Sequence, residues 1–233
     1  MQIAGIQKFS LIDYPGKIAT VIFTLGCNFR CPYCHNPEFV SEKYKEEIIK
    51  NIIPEEIFFR FLEKRKGLLD GVSICGGEPT LQKNLSNFCK KIKELGFFVK
   101  LDTNGTNPKI LKSLIDDKLL DYIAMDIKNP LEKYGEITGF KENLEGINES
   151  IELIKNSSLE YEFRTTCVAG FHNQEDIEKI VKSIAGAKLY YLQNYKPGNT
   201  LEKDFSGKSF SIKELQIFQD IAQKYVEKCF IRS

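Results

Sequence analysis

The sequence predicts an α/β fold. Six βα units of parallel strands make either an open doubly wound sheet or a curved partial barrel, and we take the single-domain partial (βα)6 barrel, with its site at the strand C-terminal ends. Three observations predict it. Short β-branched or aromatic runs alternate with segments of helical periodicity along the chain. The connections are long enough for the helical crossovers that parallel strands need. Each predicted strand carries, or exits into, polar or glycine-rich sequence.

The elements follow in order. Residues 1–17 read as a short N-terminal extension. Ala19–Leu25 (ATVIFTL) is a buried strand, and a long loop holding three cysteines follows it. Pro54–Leu69 reads as a helix, with Ile57, Phe58, Phe61 and Leu62 on one stripe and Pro54 suited to the first turn. Gly71–Cys75 is the second strand. Asn84–Leu95 is a helix closed by Gly96, and Phe97–Leu101 is the third strand. A helix over Pro108–Ile115 leads to the fourth strand, Tyr122–Met125. A helix over Leu144–Lys155 leads to the fifth, Glu160–Val168. Asn173, with Asp176 three residues later, starts a helix to Ile184, and Lys188–Gln193 is the sixth strand. Ser211–Lys228 closes the chain as an amphipathic helix with Leu215, Phe218, Ile221, Ala222 and Tyr225 on one face. No Pro/Ser-rich linker, low-complexity tract or strong internal repeat interrupts this pattern, so residues 1–233 read as one domain.

Composition narrows the function. The chain carries 33 Lys+Arg and 32 Asp+Glu, a net charge of +1, which argues against nucleic acid or an anionic membrane as the main partner. A 42% hydrophobic and 28% charged composition excludes wholesale disorder. The longest apolar stretch, Ile18–Gly26, is too short to span a bilayer, and the N-terminus lacks the pattern of an export signal. A cytoplasmic protein is expected.

The seven cysteines are odd in number and unevenly placed, so a disulfide framework is not expected. Cys27, Cys31 and Cys34 lie within eight residues, while Cys75, Cys89, Cys167 and Cys229 are scattered singly. The pattern reads as one metal site plus ordinary small apolar residues. Three thiolates spaced C-x3-C-x2-C on a loop can wrap one inorganic centre. A structural zinc wants four protein ligands, which His35 could complete. An iron-sulfur cubane would instead be left with one iron lacking a protein ligand, which is an open coordination position.

The other strand exits are individually less telling. Gly76-Gly77-Glu78-Pro79 lets the backbone approach a ligand closely, or is only a tight turn. Asp102-Thr103-Asn104-Gly105 is likewise compatible with a turn. Asp126 and Lys128, two apart at a strand end, project to one side and form either a salt bridge or a ligand-binding pair. Arg164 sits inside an apolar strand, as a fork-shaped donor for a carboxylate or as a partly exposed edge position. His172, in a loop, reads as solvated.

Together these motifs carry a resemblance. CNFRCPYC, with Tyr33 before the last cysteine, resembles the signature of the radical S-adenosylmethionine superfamily. The run GIQKFSLIDYPGKIATVIFTLGCNFRCPYCHNPE, with CGGEPTLQ, LDTNG, MDIK and LQNYKPGNT, resembles the activases of glycyl radical enzymes. Within them it is most similar to the anaerobic ribonucleoside-triphosphate reductase activating proteins.

The resemblance implies a 4Fe-4S cluster held by Cys27, Cys31 and Cys34. It implies S-adenosyl-L-methionine bound at the open iron and reductively cleaved to a 5′-deoxyadenosyl radical, which takes a hydrogen from a glycine of the partner enzyme. It implies that Gly76, Gly77 and Glu78 meet the methionine amino group, that Tyr33 and His35 lie against the cofactor, and that Asp126 and Lys128 engage S-adenosylmethionine. It places Arg164 nearby, and it offers Asp102, Thr103 and Asp126 to a monovalent cation. The implied partners are a glycyl radical enzyme, by the closest subgroup an anaerobic ribonucleoside-triphosphate reductase, and reduced flavodoxin or ferredoxin as electron donor. A radical enzyme acting on a small molecule, such as a deazaguanine synthase, is the alternative enzyme reading. A purely structural or electron-transferring metal module would leave GGEP, DTNG and DIK without a role.

Overall fold

A computed structural model describes residues 1–233. It contains eight strands in one sheet, following one another in chain order from β1 to β8. They are β1 (Ile3–Ser10), β2 (Ala19–Thr24), β3 (Gly71–Gly76), β4 (Phe98–Thr103), β5 (Tyr122–Asp126), β6 (Glu160–Cys167), β7 (Tyr190–Asn194) and β8 (Cys229–Arg232). The helices are α1 (Pro37–Val40), α2 (Glu42–Lys50), α3 (Glu55–Glu63), α4 (Leu85–Glu94), α5 (Pro108–Asp116), α6 (Tyr134–Thr138), α7 (Glu145–Lys155), α8 (Gln174–Ser183) and α9 (Ile212–Ala222). None is long and apolar enough to cross a membrane.

The chain divides into two compact units. One comprises residues 1–28, 38–103 and 107–123, and the other residues 29–37, 104–106 and 124–233. In the first unit β2, β3 and β4 pair in parallel, with Ile22 opposite Ile74 and Ile74 opposite Leu101. β2 is buried on nearly all its length, as a β-branched run covered on both faces should be. The core of this unit includes a stacked Phe58–Phe88 pair, ring centroids 5.4 Å apart, where α3 meets α4. In the second unit β6, β7 and β8 pair in parallel, with Phe163 opposite Tyr190 and Tyr190 opposite Cys229. Complete capping boxes start both α8 (Asn173 with Asp176) and α9 (Ser211 with Glu214).

The six expected strands are β2 to β7, within a residue or two at most ends. Two further strands lie outside the expected set. β1 falls within residues 1–17 and pairs antiparallel with β2, through two register irregularities that break its alternation. The expected closing helix over 211–228 stops at Ala222, and Cys229–Arg232 becomes β8. At four residues β8 is too short to show a period of its own, and only pairing with β7 reveals it. The cysteine loop is also less irregular downstream than expected, since α1 and α2 follow it.

Candidate active site

In the first unit, β2 exits through Gly26 to Cys27. Gly76 and Gly77 lie directly against this exit. Gly77 N–H donates to the Thr24 carbonyl at 2.9 Å and Glu78 N–H to the Gly26 carbonyl at 2.8 Å. A Cβ at Gly76 would collide with the Thr24 backbone, and one at Gly77 with the Gly26 carbonyl. Gly76 also has φ +114°, which side chains rarely adopt. Close approach does dictate the two glycines, and here the approaching partner is the neighbouring strand exit.

Glu78 is buried. Its Oε1 accepts from the Thr80 backbone N–H at 3.1 Å, the Thr80 hydroxyl at 2.6 Å and the Thr103 hydroxyl at 2.8 Å. Thus Glu78 and Thr103, from two different strand exits, meet. Asp102 pairs with Lys100, a residue of its own strand. The DTNG segment does turn, with Asn104 Oδ1 accepting from the Thr106 N–H at 3.0 Å and the Thr106 hydroxyl at 2.7 Å.

In the second unit, the remainder of the cysteine loop is tied at three points. Arg30 N–H donates to the Thr138 carbonyl at 2.7 Å, Glu202 N–H to the Pro32 carbonyl at 3.0 Å, and Leu201 N–H to the Cys34 carbonyl at 3.1 Å. Phe29 meets Tyr134 and Phe140, with centroids 6.0 and 5.3 Å away. Tyr33 is buried against Tyr195 and Phe205, and His35, exposed, lies over Tyr195 at 5.6 Å. The 195–208 segment is therefore a strap over the loop. From the sequence, only its LQNYKPGNT start stood out. Phe205 and the two backbone bonds carried no local signal.

The charged residues of this unit form a ladder. Lys128 Nζ lies 3.1 Å from Asp126 Oδ2, and Arg164 Nε 2.8 Å from Asp126 Oδ1. Arg164 Nη1 lies 3.7 Å from Glu162, which takes both terminal nitrogens of Arg232 at 2.8 and 2.9 Å. Asp126 and Lys128 do project together, and Arg164 meets a carboxylate, one supplied by the protein. Burial works against the charge on Asp126, but Arg164 and Lys128 hold its carboxyl well below the usual carboxylate range. Burial likewise opposes the charge on Lys128, and Asp126 outweighs it, keeping the ammonium protonated. Burial pushes the Cys31 thiol up to about 11.

His172 differs from its expectation. It is buried rather than solvated, with 5% of its surface exposed. Its Nδ1 accepts the Val168 backbone N–H at 3.1 Å, and its Nε2 lies 2.9 Å from the Lys128 carbonyl. The acceptor role of Nδ1 places the proton on Nε2. The ring thereby fastens the Lys128 backbone to the end of β6. A histidine in a loop of unknown partners gave no sequence sign of this.

None of the seven cysteines is in a disulfide. No three His, Cys, Asp or Glu side chains are grouped as ligands of a single metal ion. A cubane places each thiolate on a different iron, so its donors need not converge on one point, and three thiols on one loop suit it. The Tyr33 hydroxyl is buried without a hydrogen-bond partner, an unsatisfied group that a bound ligand would serve.

Comparison with known proteins agrees with this chemistry. The model of the Radical SAM superfamily matches residues 21–184. A protein of Methanocaldococcus jannaschii bearing the name of a glycyl-radical enzyme activating enzyme is 38% identical over 99% of this chain and 95% of its own. The pyruvate formate-lyase-activating enzyme of Clostridium pasteurianum is 27% identical over 97% and 95%. Among solved structures, Streptococcus suis SuiB bound to S-adenosylmethionine superposes with a TM-score of 0.65 at 17% identity. That match covers 91% of this chain and 52% of SuiB, and at this identity the likeness is one of fold.

Proposed function

The chain belongs to the radical S-adenosylmethionine superfamily, and from that premise we propose that it is an activating enzyme that installs a glycyl radical on a partner enzyme. The observation that carries this reading is the cysteine loop: three thiols within eight residues, outside any disulfide, on a segment fastened by three backbone hydrogen bonds. The names of the two sequence relatives supply the reaction class.

When bound, a 4Fe-4S cluster and S-adenosylmethionine supply one-electron cleavage of a carbon–sulfur bond and hence the hydrogen-abstracting species. The chain's own residues hold and orient. Cys27, Cys31 and Cys34 are the thiolate ligands. Gly76, Gly77 and Glu78 form a rigid exit against β2 that receives the amino group. Tyr33 offers its buried hydroxyl, His35 its exposed ring, and Asp126 and Lys128 a fixed charge pair toward the cofactor. Arg164 keeps Asp126 ionised. The 195–208 strap keeps the loop in place and shields it from water. All of residues 1–233 serve this one function, with the short stretch 1–17 as an extension.

The partner in this reading is an anaerobic ribonucleoside-triphosphate reductase, and the electron donor is reduced flavodoxin or ferredoxin in the cytoplasm. The subgroup resemblance of the motifs supports the first. Anaerobically reconstituted protein should be brown and hold about four irons per chain. It should release 5′-deoxyadenosine under strong reductant, and replacing any of Cys27, Cys31 or Cys34 by Ala should abolish both. A colourless one-zinc protein would defeat the reading. With the loaded protein, paramagnetic resonance on a purified anaerobic reductase and on pyruvate formate-lyase tells which acquires the glycyl radical.

A further inference from the structure

The three side chains that the resemblance offered to a monovalent cation are each engaged by the protein itself. Asp102 is paired with the Lys100 ammonium. The Thr103 hydroxyl donates to Glu78 at 2.8 Å. Asp126 is held by Lys128 at 3.1 Å and by Arg164 at 2.8 Å. The donor set does not fit a further cation, because both carboxylates already carry organic ones.

Lys100 is the unexpected member. It is 2% exposed, in the middle of β4 between the fully buried Val99 and Leu101. A buried ammonium without a counter-charge is strongly disfavoured, so its position needs Asp102. The two residues are two apart on a strand and therefore share a face. Ser73, opposite Lys100 in the β3–β4 register, places its hydroxyl 3.5 Å from the ammonium. A lysine head is a compact point charge with three donors, close in character to a small monovalent ion. A free ion at Asp102 would have to displace this ammonium or sit beside it against like-charge repulsion.

We propose that Lys100 is the built-in cation of this site, standing at Asp102 in place of sodium or potassium, so that S-adenosylmethionine binds without either ion. The choice of ligand rests on the function proposed above; the cation claim itself rests on the Lys100–Asp102 pair.

The test uses the full chain in buffers whose monovalent cation is tetramethylammonium, with potassium or sodium substituted at constant ionic strength. Two quantities are read: S-adenosylmethionine affinity of the cluster-loaded protein by calorimetry, and the melting temperature of the cluster-free protein. For the wild type, both should be indifferent to the ion, affinity within about twofold and melting within about 1 °C. Lys100→Met should bind S-adenosylmethionine about tenfold more weakly in tetramethylammonium and recover with potassium or sodium, its melting temperature rising with ion concentration as for any ligand of the folded state. A Lys100→Met chain that folds only when potassium or sodium is present supports the proposal equally. Wild-type affinity or melting that climbs with either ion overturns it, as does a folded Lys100→Met chain that ignores both. If Lys100→Met folds in no buffer, the wild-type measurements decide alone. If the wild type binds no S-adenosylmethionine in any buffer, the functional reading fails, and the melting series still judges the cation claim.

Discussion

Tyr134 is fully buried, and its hydroxyl accepts the Lys128 backbone N–H at 3.1 Å while its ring meets Phe29 of the cysteine loop. Removing one hydroxyl should therefore be felt at Lys128. Tyr134→Phe leaves a backbone donor without its partner and should cost about 1–3 kcal/mol in urea denaturation. His172 fastens the same residue from its carbonyl side, and its behaviour with pH has a definite sign. Burial lowers its pKa in the folded protein. The unfolded chain, with an ordinary value of about 6.5, then takes up the proton first, so the folded state loses stability as pH falls below that point. The difference in stability between wild type and His172→Gln should be flat above neutrality and shift against the wild type on acidification. A difference that stays level down to about pH 5 would show that His172 does not titrate between the two states. The charge triad at Asp126 was legible in the sequence as far as the i, i+2 geometry of Asp126 and Lys128. Glu162 and Arg232 were not, because they join it from β6 and β8.

Elements differ in how plainly the chain announces them. Strands β2 to β7 are visible because each is a short run rich in β-branched or aromatic residues between breakers, and α8 because Asn173 and Asp176 satisfy each other's backbone. β1 and β8 are hidden because an edge strand owes its existence to its neighbour rather than to its own pattern. The strap over 195–208 is hidden for the same reason, since its ties to Pro32 and Cys34 are backbone bonds between distant segments. Phe205 anchors it against Tyr33 and Tyr195. Phe205→Ala should leave the fold intact while amide exchange at Leu201 and Glu202 becomes about fivefold faster, the effect of losing roughly 1 kcal/mol of aromatic contact. Unchanged exchange at those amides would mean that the strap is held by its backbone bonds alone. In the other unit, Phe88→Ala removes the ring stacked on Phe58 and should cost about 3–5 kcal/mol, read as a lowered denaturation midpoint.

Over the whole molecule, charge is nearly balanced, with a net charge of +1 and a pI near 7.5. Solubility should pass through a minimum close to that pH, and turbidity measured between acid and alkaline buffers would check it. The near-balance of the whole conceals strong local ordering, with anions and cations alternating in space from Arg232 to Lys128. The sequence revealed the order of strands and the polar exits because both are local. It hid Lys100, which looks like a surface lysine until the pairing of β4 with β3 sets it, buried, opposite Ser73. The distribution of sulfur has its own consequence. Cys89 and Cys229 are buried with thiols pushed up to about 12, and burial raises Cys167 as well. Cys27 and Cys34 are partly open. A brief exposure to an alkylating reagent should mark Cys27, Cys34 and the equally open Cys75, and leave those three interior thiols and the buried Cys31 untouched. Accessibility therefore does not by itself separate the loop thiols from the rest, since Cys31 is enclosed like the interior thiols and Cys75 is as reachable as Cys27; what sets the trio apart is its spacing along one short segment.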